Sequence, residues 1–268
     1  MISRKSLLFL GSVVLLSFIG CNEHTEGSGV DVLLTHHFEE IEEGIIPTVY
    51  IEEMPRVFET DEDFTITLSA AYVVITGMEI HSCEEHAGFF PKLLKLFSPV
   101  GVAHAHGESS ATQIGTPFVE NILRPDLVPA LYGRFSPPPG SYCELHVEFG
   151  PADADAENLP GDVDMVGKTL YVAGQFLAPG DTEGVDEVAF QVASAAEDHA
   201  MISFSHGASL SKGVRHFPVE AGEPSELVLG FLYDTWLDGL DFETVTDEAA
   251  RAAVIFPNVV DSLHRMAH

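Results

Sequence analysis

Four histidines and a cysteine crowd the stretch MEIHSCEEHAGFFPKLLKLFSPVGVAHAHGESS, Met78 to Ser110. His81, Cys83 and His86 precede a short apolar segment, and His104 and His106 follow it. Neutral imidazole is the commonest nitrogen ligand for copper and zinc. His104 and His106 stand two apart, so in an extended chain both rings point the same way, about 7 Å apart at Cα. That is a chelating pair, and His81, His86, His104 and His106 are the candidate ligands for copper or zinc. The alternative is a disulfide-tethered, solvated loop whose imidazoles bind metal only adventitiously.

The cysteine arithmetic bears on both readings. Of three cysteines, Cys21 follows FIG at the end of an apolar run, which leaves Cys83 and Cys143. In an oxidising compartment the simplest pairing is a disulfide between these two. A second cation candidate lies in PADADAENLPGDVD, where Asp153, Asp155, Glu157 and Asp164 take positions one, three, five and twelve of a calcium-loop spacing. Asn158 stands where that loop needs glycine and Asp164 replaces the bidentate glutamate, so an acidic solvated loop is the better expectation and calcium an unfavoured one. There is no HExxH, GxSxG, Walker loop or strand-following GxGxxG. The expectation is therefore a non-enzyme; a hydrolase built on His146 or His206 trails.

The elements that must position these residues begin with the leader. MISRKSLLFLGSVVLLSFIGC combines a basic start (Arg4, Lys5) with about a dozen apolar residues, too few to span a bilayer. FIGC at 18 to 21 resembles the bacterial lipobox, which implies a signal peptide over 1–20 and lipid on Cys21. By the same likeness, Asn22 points to the outer membrane, with the chain facing periplasm or exterior. Losing Arg4 and Lys5 moves the formal charge from −30 to −32, since the leader holds no carboxylate. Such a surface repels nucleic acid and attracts cations. Residues 21–45 are expected to be a flexible acidic tether, and 46–268 a single domain with a histidine-rich insert at 81–115.

Within that domain the dominant signal is period two. DFTITLSAAYVVITGMEIHSC reads as one long bent strand or two consecutive ones, with a bulge at Gly77. In GRFSPPPGSYCELHVEFG, Tyr142, Glu144, His146 and Glu148 share one face, and Cys143, Leu145, Val147 and Phe149 the other, which is the core face. Similar short runs recur to residue 242, cut by Gly, Pro and Asp. An all-β fold follows, a β-sandwich of immunoglobulin-like or related type. Two short helices are expected, one in the insert at about 85–97 and one at about 247–265, which Thr246 caps, Pro257 interrupts and VVDSLHRMAH finishes as a last turn.

The patches AYVVITGMEI, GRFSPPPGSYCELHVEFGPADADAENL and TWLDGLDF together resemble secreted β-sandwich proteins of the methanobactin-associated copper-binding family, partners of a dihaem cytochrome. The shared features are a strand–glycine–Pro-Gly-x-Tyr hairpin and a W-x-x-G-x-x-F element, here Trp236, Gly239 and Phe242. The likeness covers about 80 residues and implies a copper site near Trp236. None of that family's histidines falls at a matching position, so its ligand set does not transfer. The layout is also similar to uncharacterised bacterial lipoproteins with an AHAH loop. The expected role is an exported, lipid-anchored protein that holds or delivers copper or zinc without turnover. The alternative is an interaction or adhesion module docking a periplasmic or surface protein through the apolar segment 89–97.

Overall fold

Alternating strands that bury one face must stack those faces together, and here they form two sheets over one core. The computed structural model describes residues 29–38, 56–83, 110–181, 186–204 and 216–266. The larger sheet is organised around β3 (Thr65–Ser82), a single 18-residue strand. Its first half pairs with β2 (Arg56–Glu59) and β8 (Leu170–Leu177), and β8 continues to β9 (Val188–Ser194). Its second half pairs with β4 (Gln113–Ile114), β5 (Phe118–Asn121) and β7 (Gly140–Phe149). β10 (Asp198–Ser203) and β11 (Phe217–Val219) lie along β7. A strand this long keeps its partners only by shifting register, which it does at Leu68/Ala70, Ile75/Gly77 and His81/Ser82. The bulge expected at Gly77 is one of these. At the first, Gly174 of β8 closes on β3 so tightly that a Cβ there would lie 2.2 Å from the Thr67 carbonyl oxygen.

The smaller sheet has the order β13 (Leu263–Arg265), β12 (Ser225–Leu232), β1 (Val30–His37), β6 (Ala130–Phe135), with β1 and β12 parallel. The region 21–45, expected as a tether, thus holds a core strand at Val30–His37. VDVLLTHH shows no clean alternation because both of its faces are covered: Val30, Val32, Leu34, Thr35, His36 and His37 are all buried. The two inner faces meet in one cluster, with Phe149 of the larger sheet 6.4 Å from Phe231 of the smaller between ring centroids.

The C-terminal helix α1 (Glu248–Ser262) starts one residue later than expected. Asp247, not Thr246, caps it, its carboxylate accepting from Ala250 N at 2.9 Å. Pro257 does not end it. The apolar face Ala252, Ile255, Phe256, Val259, Val260 runs through the proline and packs on the core, which outweighs the lost hydrogen bond. Residues 263–265, expected to finish a last turn, instead form β13. A second, small cluster sits on the opposite face of the larger sheet. There Ala152, Ala156 and Met165 of the 151–168 loop cover Tyr72, Val74 and Val119. The calcium-like spacing belongs to this cover: Asp164 accepts from Val166 N at 3.1 Å, and Asn158 adopts φ 61°. The helix expected at 85–97 lies outside the described residues.

Candidate metal centre

The neighbouring strands β10, β7 and β3 place side chains in cross-strand rows on the face of the larger sheet that turns away from the core. His199 stands opposite Glu148, Met201 and Glu79 flank His146, and Ser203 and His81 flank Glu144. Histidine and carboxylate therefore alternate, and the three imidazoles form a diagonal across three strands. His146 and His199 face each other edge-on with ring centroids 5.0 Å apart, and His81 follows at 6.3 Å from His146. Diagonal neighbours on a pleated sheet are spaced for such contact. His81 Nε2 lies 3.9 Å from Glu79 Oε2, and His199 Nδ1 3.8 Å from Asp198 Oδ1. His81 is half-buried, His199 exposed, and Met201 is 64% exposed beside them.

One end of this diagonal is covalently fixed. Cys83 and Cys143 form the expected disulfide, joining β3 to β7 just beyond His81 and closing a span of 60 residues. Cys143 does not sit on the core face, however. The register shift between His81 and Ser82 makes it the extra residue of a bulge, so Tyr142 turns inward and is buried, and Cys143 is freed to reach across. Of the four expected ligands, His81 is in this array. His86, His104 and His106 lie outside the described residues, as does Cys21. Among the described residues no group of three His, Cys, Asp or Glu side chains is arranged to share one metal ion. Trp236, expected beside a metal, is a core residue: 1% exposed, edge-on to Phe231 at 5.9 Å, its Nε1 donating to Ser262 Oγ at 2.9 Å.

Sequence reasoning missed a second array between the sheets. His36 of β1 donates from Nε2 to the Arg124 carbonyl at 2.7 Å, and its Nδ1 lies 3.1 Å from Glu120 Oε1. Arg124 Nη2 meets the same Glu120 oxygen at 2.5 Å. Arg56 of β2 pairs with Asp126 Oδ1 at 2.8 Å and lies over the Tyr233 ring, whose hydroxyl donates to Asp126 Oδ2 at 3.2 Å. His36 and Glu120 are fully buried, and Arg56 and Asp126 nearly so. Burial pushes the Asp126 carboxyl up, against the opposing pull of Arg56, His36 and the Tyr233 hydrogen bond. Two cationic guanidinium groups and two carboxylates in so dry a place hold one another in register. The signal was present in the sequence as charged residues inside strand runs, RVFE and FVEN. Their partners are about 70 residues apart and could not be matched from spacing alone. Comparison with family models, with curated proteins and with solved structures returned no match for this chain.

Proposed function

We propose that this is an exported, lipid-anchored protein that binds a transition metal, copper before zinc, to hold or deliver it without turnover. The observation that carries the reading is the His81–His146–His199 diagonal on an open, carboxylate-bearing face. His146 and His199 supply a close imidazole pair. His81 leads through Cys83 into the segment that bears His86, His104 and His106, the source of further ligands. Acidic neighbours Glu79, Glu144 and Glu148 raise the local concentration of cations. The anchor and the envelope location rest on the leader and Cys21.

The test is elemental mass spectrometry on the untagged chain without its leader, after dialysis against a weak chelator. The wild type is expected to retain at least one copper or zinc per chain. The double variant His146→Ala/His199→Ala is expected to hold about one equivalent fewer than the wild type, while its unfolding free energy stays within about 0.5 kcal/mol, as for surface changes generally. Undiminished metal in that variant would sink the assignment.

A further inference from the structure

A different pair of histidines lies on the smaller sheet, and its geometry is tighter than that of the open face. In the register of β1, β12 and β13, Thr35, Gly230 and His264 stand side by side, with His37 two residues along from Thr35 on the same face. The Nε2 atoms of His37 and His264 are 3.1 Å apart, with the rings at 88°. His264 is oriented from behind: its Nδ1 donates to the Ser262 carbonyl at 2.9 Å, and a carbonyl can only accept. The Nδ1 proton is therefore fixed, and a neutral His264 presents its Nε2 lone pair to His37. A backbone carbonyl bound to the far nitrogen is the support that metal-ligating histidines characteristically have.

The third donor is a sulfur. Met266 is held by its backbone N–H to the Val228 carbonyl at 3.0 Å, and its thioether folds over Gly230. A Cβ at Gly230 would lie 2.8 Å from Met266 Sδ and 3.4 Å from His37 Cδ2. Sulfur and imidazole thus flank the same point, which only a glycine leaves open. We propose that His37, His264 and Met266 form a copper(I) site. Two imidazoles and a thioether are a soft donor set, and softness selects copper(I) over copper(II) and over hard cations. Without metal, one imidazole proton occupies the space between the two Nε2 atoms. Binding moves that proton to the other nitrogen of the His37 ring, which stays neutral as a ligand. The site lies on the other sheet from the His81–His146–His199 face and does not depend on it.

The experiment is an anaerobic titration with the copper(I)–acetonitrile complex in competition with bicinchoninate. It is run in the His146→Ala/His199→Ala background so that the open face does not contribute. His37 is buried, so the probing variants are at the half-buried residues, His264→Gln and Met266→Leu, each checked for an unchanged circular dichroism spectrum. Both are expected to weaken the tightest copper(I) site at least tenfold, and Met266→Leu to remove a sulfur scatterer from the copper X-ray absorption spectrum. Wild-type affinity in either variant would overturn the site. Failure of the open-face assignment is read separately, as a background variant that holds as much metal as the wild type.

Discussion

The open-face diagonal and the buried array around His36 use the same residue types to opposite ends. On the open face His81, His146 and His199 alternate with carboxylates at the solvent boundary, where the ion contacts of His81 and His199 are long, 3.9 and 3.8 Å, and screened. Between the sheets, His36, Arg56, Glu120 and Asp126 are locked by short hydrogen bonds with almost no solvent, and Arg124 closes the array from its partly exposed edge. A charge on the face can be removed at little cost to folding. A charge inside cannot, because its partner would be left desolvated. The contrast separates side chains at the solvent boundary from side chains committed to the scaffold.

The sharpest way to break that contrast is Arg56→Ala. It strands Asp126 between the sheets and is expected to cost about 3 to 5 kcal/mol in urea unfolding. A cost below about 1 kcal/mol would mean that the inner array is as dispensable as the outer. Next comes the joint between the two halves of the open face. The double variant Cys83→Ser/Cys143→Ser releases a loop closed over 60 residues, for an expected loss of about 4 kcal/mol in the chain-entropy account. Wild-type stability in that variant would show that β3 and β7 keep their register unaided. The smallest effect concerns the part of the same outward face that is covered. Burial, with the Asp162 carboxylate close by, pushes the Tyr72 hydroxyl up from 10.0 to about 12. The folded chain keeps this proton where the unfolded chain has lost it, so stability falls as pH rises through that window. Tyr72→Phe removes its share of the fall, seen as a shallower alkaline limb when unfolding is followed from pH 9 to 12. An unchanged limb would place Tyr72 in a wetter setting than its 5% exposure indicates.

What the sequence disclosed follows from how local each feature is. The Thr65–Ser82 alternation, the Gly77 bulge and the outward face of Glu144, His146 and Glu148 need only neighbours in the chain, and all are present. The Cys83–Cys143 bond was legible because so few cysteines leave little choice. β1 was hidden because a strand covered on both faces loses the period-two signature, and acidic flanks blurred it further. The bulge at Cys143 was hidden because one extra residue reverses the facing of everything before it, Tyr142 included. His199 joined the candidate site only through the β10–β7 pairing, and His264 met His37 only because β13 and β1 flank β12. Such encounters depend on strand order, which alternation along one strand does not encode.

One residue couples the core to the paired imidazoles. Ser262 accepts from the Trp236 indole through its hydroxyl and holds His264 through its carbonyl. Trp236 is the sole tryptophan of the chain. The protein therefore carries a single indole fluorophore in a dry pocket, one residue removed from the His37–His264 pair. Its emission reads both global unfolding and any quenching ion bound at that pair, without a label and without altering the chain.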